Sequence, residues 1–216
     1  DWQQAACLPI ALRTMHDALA TQGGLRAGQS VLIQGASSGV GLMALQIARR
    51  LGAGLVIGTS TTDARRARLA EFGAHLALDT GTPAWVEAVL ERTQGRGVDL
   101  VIDQLSGPYA SLNLRAAAIG GCVVNVGRMA GQNAPFDFET HSLRRIRYVG
   151  VTFRTRTLDE VAAIGERVKA DLWPALTAGA LRLPVDAVLP LEQVPQALDR
   201  MRSNAHFGKI VIEQPG

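Results

Sequence analysis

The chain is poor in cysteine, lysine and aromatic residues, and each shortage excludes something. Only Cys7 and Cys122 occur, far apart and without C-x-x-C spacing, so neither a disulfide framework nor a cysteine zinc cluster is supported. Both read as buried small hydrophobes. Lysine stands only at 169 and 209, so the basic charge is nearly all arginine, and a net charge of +3 over 216 residues is too small an excess to suggest a nucleic-acid partner. No apolar run approaches the ~20 residues that a membrane-spanning helix needs. The start, Asp1-Trp2-Gln3-Gln4, lacks the basic opening and apolar stretch of a secretory signal, so a cytoplasmic address is expected. An opening on Asp1 rather than Met points to processing or to a boundary there.

What is present is an ordinary folded composition: 47% hydrophobic and 19% charged residues, in a length that suits one domain or slightly more. Short apolar runs alternate with amphipathic stretches, the pattern of βαβ units and a doubly wound parallel sheet with helices on both faces. Strands are expected near Ser30–Gln34, Leu55–Ser60, Leu76–Asp79, Asp99–Asp103, Cys122–Val126 and Arg147–Phe153, with helices near Val40–Leu51, Asp63–Phe72, Pro83–Arg92 and Tyr109–Ile119. Thr82 before Pro83 reads as an N-cap, Thr157 to Glu160 as a capping box, and Gly52, Gly73 and Gly95 as stops. A helical lead from Trp2 to Thr21, broken at Pro9, precedes the alternation. A tail follows it, with a strand near Val185–Leu189, a helix near Glu192–Arg202 and a last strand Lys209–Glu213. The organisation is thus residues 1–24 as lead helices, 25–180 as the α/β domain and 181–216 as a tail belonging to another layer.

The richest signal is Val31-Leu-Ile-Gln-Gly35-Ala-Ser-Ser-Gly39-Val-Gly41-Leu: a strand, a tight glycine loop and a helix start. In a doubly wound sheet this is where a pyrophosphate sits at a helix N-terminus. The strict G-x-G-x-x-G is absent, since Ala36 and Ser38 hold its first two positions. A Walker loop would need Gly-Lys-Ser/Thr, and no lysine is there. Gly35 to Gly39 also satisfies G-x-S-x-G, so a serine hydrolase with His206 and Asp103 or Asp186 is an alternative, although that elbow normally follows several strands rather than the first. A third reading is a nucleotide-binding module without turnover. A short-chain dehydrogenase would need Tyr-x-x-x-Lys, whereas Tyr109 precedes Asn113 and Tyr148 precedes Thr152.

An NAD site usually places an acid ~20 residues beyond the glycines, on the ribose 2′-hydroxyl. That place reads Gly58-Thr59-Ser60-Thr61-Thr62, without an acid and followed by Arg65, Arg66 and Arg68. Hydroxyls and guanidinium groups suit a 2′-phosphate, so NADPH is expected over NADH.

Taken with Ala5-Ala6-Cys7-Leu8-Pro9 and Thr14 in the lead, Phe72-Gly73-Ala74, Gly97 to Asp103, Val124-Asn-Val-Gly127 and the closing His206-Phe-Gly-Lys-Ile-Val-Ile212, the chain resembles the medium-chain dehydrogenase/reductase superfamily, in its zinc-independent quinone-oxidoreductase branch. The resemblance implies that Ala36, Ser37, Ser38, Gly39, Val40 and Gly41 hold the pyrophosphate, and that Thr59, Ser60 and Arg65 hold the 2′-phosphate. It implies also that Val126 and Gly127 border the nicotinamide, that Thr14 approaches the ring, and that Phe207, Gly208 and Lys209 close the site. The implied activity is NADPH-dependent hydride transfer to a quinone, enone or related conjugated carbonyl, with a GroES-like substrate domain before Asp1. Two aromatic positions of relatives are Thr80 and His16 here, and Ser38 replaces a frequent glycine. Zinc-dependent relatives carry a cysteine ligand near Ile10, so no catalytic zinc is expected. The cluster Arg144 to Arg147, with Arg154 and Arg156, reads as a solvated face or a partner surface. Strand Arg147–Phe153 is expected at a sheet edge, where it would join a second copy in a homodimer. The remaining partner is a small-molecule substrate.

Overall fold

The structure, a computed structural model, describes residues 1–214, so Pro215 and Gly216 of the expected tail lie outside the described residues. Six strands form one parallel sheet: β1 (Ser30–Ile33), β2 (Leu55–Thr59), β3 (Leu76–Leu78), β4 (Val98–Asp103), β5 (Ala117–Asn125) and β6 (Arg147–Gly150). Their order is β3-β2-β1-β4-β5-β6, the doubly wound order of the Rossmann-like α/β fold, in which the strand order reverses between β1 and β4. Parallel strands require crossovers, and the helices α1 (Trp2–His16), α2 (Gly39–Arg50), α3 (Asp63–Arg66), α4 (Trp85–Arg92), α5 (Tyr109–Ala116), α6 (Phe138–Leu143) and α7 (Leu158–Thr177) cover the faces. β7 (Val185–Pro190) and β8 (Lys209–Glu213) pair as a separate parallel ribbon, with α8 (Val194–Arg202) between them in the chain. Among the described residues no helix is long and apolar enough to cross a membrane.

The inner strands β1, β2 and β4 are apolar along most of their length because both faces are covered. Side chains alternate, so Val31 and Ile33 of β1 join Met15, Leu42 and Leu45 of α1 and α2. Leu32, between them, faces the other layer with Trp85, Val86 and Leu114 of α4 and α5. Cys7 and Cys122 are free and buried, as expected.

Several expected boundaries shift for local reasons. Pro9 does not break the lead helix: it sits inside α1 on the exposed side, where water can take up the carbonyl left without a partner, while Cys7, Ala11, Leu12 and Met15 hold the inner side in the core. The helix continues as a π-helical turn over Asp17–Gln22. Thr82 caps nothing, since α4 starts at Trp85 after a turn in which Asp79 accepts from the Gly81 N–H at 2.8 Å. The helix expected over Asp63–Phe72 divides into α3 and a 3-10 turn at Leu69–Phe72. α5 stops at Ala116 because β5 begins at Ala117, earlier than the apolar run suggested, and Ala117 pairs with Val98. β6 ends at Gly150, short of Phe153, and is the edge strand.

Part of the arginine cluster near β6 is engaged, while Arg145 and Arg154 are exposed. Arg144 donates to the Ala117 carbonyl at 2.6 Å and Arg147 to the Gln22 carbonyl at 2.7 Å. Arg156 reaches the fully buried Asp17 carboxylate at 2.6 Å. The capping box is formed: Glu160 N–H donates to Thr157 Oγ1 at 3.2 Å and Thr157 N–H to Glu160 Oε2 at 2.8 Å, which starts α7 beside α1. Removing Arg156 strands a buried carboxylate, so Arg156→Ala is expected to lower unfolding free energy by about 3 kcal/mol, read from the urea midpoint; a change below about 0.5 kcal/mol, the range of an ordinary surface substitution, counts against this role.

Candidate functional site

The glycine loop joins β1 to α2 at the carboxyl edge of the sheet, beside the reversal in strand order. Gly35 turns with φ +65°, and Ser38 caps α2, its Oγ accepting from Gly41 N–H at 3.0 Å. A side-chain carbon on Gly41 would lie 2.5 Å from the Gly35 carbonyl oxygen, so only glycine lets the helix come this close to the loop. Ala36 is fully buried and its N–H donates to the Thr59 carbonyl at 2.8 Å, tying the loop to β2. Gly39 and Val40 form the first turn of α2.

The tail closes this loop. Ser38 and Gly208 pair as a parallel bridge, and a carbon on Gly39 would collide with the Lys209 side chain at 2.6 Å. Gly208 has φ +92°, and a side chain there would meet the Pro184 carbonyl at 2.3 Å. Phe207 is buried against Phe72, ring centroids 5.9 Å apart, with the Arg68 guanidinium 4.1 Å from its ring centre. Asp186 holds this segment by accepting from Phe207 N–H at 3.0 Å and Arg200 Nε at 2.6 Å. Burial alone would push its carboxyl up, yet the Arg200 and Phe207 hydrogen bonds keep it below the ordinary value.

A cavity of about 640 Å³ opens beside the loop, lined by Gly35, Ser37, Ser38, Ser60, Arg65 and Tyr109 among others. The Ser60 hydroxyl donates to Ser37 Oγ at 3.0 Å, and Arg65 donates to Asn204 of the tail at 3.0 Å, which brings its guanidinium over the cavity. Of the three arginines expected there, Arg65 alone lines it. Arg66 is drawn to the Ser60 carbonyl, Asp63 and Asp79, and Arg68 covers Phe207. Thr59 is likewise turned away: it is fully buried, donating to Gln34 Oε1 at 2.9 Å and accepting from Gly35 N–H at 3.0 Å. Its hydroxyl positions the loop and has no free face for a ligand.

A second cavity, about 450 Å³, is lined by Ile10, Arg13 and Thr14 of α1, Val126 and Arg128 after β5, Val151 to Arg154, and Val161. Thr14 and Val126 thus line the same cavity. Gly127 is packed behind, 2.6 Å separating its would-be side-chain carbon from the Gln104 carbonyl. His16 lines neither cavity; it is buried between α1 and α7 with Nε2 2.7 Å from Asp171. The hydrolase arrangement is not formed, since Ser37 is hydrogen-bonded to Ser60 and Asp103 accepts from the Leu105 and Ser106 N–H groups at 2.9 Å each. Burial pushes the Asp103 carboxyl up, against those two hydrogen bonds.

Sequence reasoning missed Gln104, Leu105, Tyr109 and Asn204. Gln104 donates to the Gln34 carbonyl at 2.8 Å and accepts from Ser38 Oγ at 3.1 Å, linking β4 to the glycine loop. Tyr109, whose hydroxyl donates to the Thr80 carbonyl at 3.2 Å, brings an aromatic ring to the cavity from α5, although the position after β3 is a threonine. The Asp103 that ends β4 was the available signal, because its carboxylate folds the turn carrying Gln104 and Leu105.

Thr59→Val removes a partner from Gln34 and from Gly35, so it is expected to cost roughly 1–3 kcal/mol in urea unfolding. An unchanged midpoint would contradict the inward assignment. Asp186 has a depressed carboxyl, so its stabilisation is present above about pH 4 and is lost as pH falls through the depressed value. Asp186→Asn is accordingly expected to flatten the acid limb of the melting-temperature profile, and an unaltered limb would refute the assignment.

Residues 39–167, more than half of the chain, match the family model of zinc-binding dehydrogenases. Erythronolide synthase EryA2 of Saccharopolyspora erythraea is 35% identical over 98% of this chain, which spans 6% of that protein. Among solved structures, CurK enoyl reductase is 26% identical with a TM-score of 0.83, over 98% of this chain and 62% of that one. The CurF ER cyclopropanase of curacin A biosynthesis is 29% identical with a TM-score of 0.81, at the same coverages. The cavity beside Thr14 offers no thiolate, imidazole or carboxylate, so its residues do not fit a zinc ion despite the family's name. With a Rossmann-like sheet, a tail bridged back onto its glycine loop and this family match over its centre, the chain belongs to the zinc-binding dehydrogenase family, as the cofactor-binding half of a medium-chain dehydrogenase/reductase.

Proposed function

We propose that this chain binds NADPH and forms the cofactor half of a reductase acting on a conjugated carbonyl, an enoyl thioester rather than a quinone. The observation that carries the cofactor reading is the lining of the larger cavity: Ser60 follows β2, Arg65 lies on α3, and no carboxylate lines the space. An acid there would bond the ribose 2′-hydroxyl of NADH and repel a 2′-phosphate, whereas a guanidinium and hydroxyls receive the phosphate. Ser37, Ser38 and the first turn of α2 receive the pyrophosphate, close to the positive end of the helix dipole.

Bound NADPH supplies the hydride. The chain's own residues bind and orient: Tyr109 and Leu105 wall the adenosine end, the Ser38–Gly208 bridge holds the loop, and Thr14 and Val126 border the cavity where the reacting carbon would lie. Ile10, Val126, Val151, Phe153 and Val161 give that cavity an apolar wall, which keeps water from the transferred hydride and accepts an acyl chain. The preference for an enoyl thioester draws support from the synthase and enoyl reductase relatives.

Arg65→Asp is expected to weaken NADPH binding by roughly 10- to 100-fold while NADH changes by less than about threefold, measured by calorimetric titration. Equal losses for both cofactors would overturn the 2′-phosphate assignment. Binding without reduction of an enoyl thioester would leave a nucleotide-binding module and overturn the reductase reading for the isolated chain.

A further inference from the structure

The smaller cavity carries charge that the proposed hydride transfer does not use. Arg13 comes from α1, Arg128 from the loop after β5 and Arg154 from the segment after β6, and all three line this one space. Some arginines of the chain find carboxylates, among them Arg156 with Asp17, Arg66 with Asp79, Arg115 with Glu87 and Arg200 with Asp186. Among the described residues Arg13, Arg128 and Arg154 have no ion-pair partner, and no Asp or Glu lines the cavity. Three like charges gathered without a counter-charge repel one another and raise the local concentration of anions. The segment presenting Arg154 is anchored, because Arg156 donates to the Thr152 carbonyl at 3.2 Å and reaches buried Asp17, and Arg154 N–H donates to Thr152 Oγ1 at 3.2 Å.

The cofactor's phosphates do not account for these groups. They belong with Ser37, Ser38, Ser60 and Arg65 in the other cavity, and the two linings share no residue. What remains beside Arg13, Arg128 and Arg154 is an apolar wall and the hydroxyl-bearing Thr14 and Thr152, a combination that suits a molecule with an acyl part and an oxyanion. Guanidinium groups recognise phosphate and carboxylate by paired N–H donors, so both satisfy the same chemistry.

We propose that Arg13, Arg128 and Arg154 form an anion subsite that selects thioester substrates bearing a negatively charged oxyanion group, either a phosphate on the carrier arm or a carboxylate on the acyl chain. The proposal deepens the enoyl-thioester reading and rests on it for the identity of the rest of the ligand. It assigns the three arginines to substrate choice; none is given a part in hydride transfer.

The test is calorimetric titration of the NADPH-loaded chain with three thioesters: butyryl-coenzyme A, with phosphates on the carrier; glutaryl-N-acetylcysteamine, with a carboxylate on the acyl chain; and neutral butyryl-N-acetylcysteamine. At least one charged thioester is expected to bind about tenfold more tightly than the neutral one, and which one it is identifies the source of the anion. In Arg13→Gln, Arg128→Gln and Arg154→Gln that advantage is expected to shrink severalfold, with the neutral thioester unaffected, which also reports that the fold is intact. Affinities within about twofold for all three thioesters, or an advantage that survives all three substitutions, would overturn the subsite. Charge-selective binding without reduction of the matching enoyl thioester would uphold the subsite and refute only the reductase reading.

Discussion

The contact on which the rest of the site depends is the seating of Gly208 against Ser38. It joins the two ends of the chain: the β1–α2 loop, formed early in the sequence, and the ribbon of β7 and β8 that follows the whole sheet. It is sterically demanding on both sides, since Gly39 has the Lys209 side chain over it and Gly208 has Pro184 behind it. Asp186, Phe207 and Arg68 then lock the tail in place, and Asn204 meets Arg65 over the larger cavity. The glycine loop is therefore held from two sides, which would lower the cost of ordering it for the nucleotide proposed to bind there.

The arginines divide by what faces them. Those that meet a buried carboxylate or a carbonyl hold secondary structure together, as Arg156 does for Asp17 and Arg144 for the start of β5. Arg68 works through its planar face on Phe207, a role a lysine would fill less well. Arg65, Arg13, Arg128 and Arg154 reach cavities and carry the charge available to ligands. The arginines that hold structure and those proposed to meet ligands thus differ only in their neighbours.

Much of this was legible along the chain. The sheet, its parallel sense and the glycine loop follow from apolar runs, their alternation with amphipathic stretches, and Gly35, Gly39 and Gly41 on a strand-to-helix junction. The capping box at Thr157 and Glu160 formed as its spacing indicated, because all its partners lie within one turn. Thr82 and Pro9 went the other way. A cap or a break is a local preference worth about 1 to 3 kcal/mol, and the packing of α1 on the sheet and the Asp79 turn outweighed it. Thr59 and Ser60 are neighbours with the same chemistry, yet alternation along β2 sends one into the sheet and leaves the other at the cavity.

By itself the sequence determined the fold class, the place of the glycine loop and the run of hydroxyls without an acid from Thr59 to Thr62, since these depend on residue type at short spacing. The tertiary structure decided which of Arg65, Arg66 and Arg68 faces the cavity, brought Tyr109 and Asn204 to it, and gathered Arg13, Arg128 and Arg154 around one space. Those outcomes turn on which carboxylates, carbonyls and rings come within reach of a long flexible side chain. Such neighbours are supplied by strands and helices distant in the sequence, and no local pattern encodes their distance.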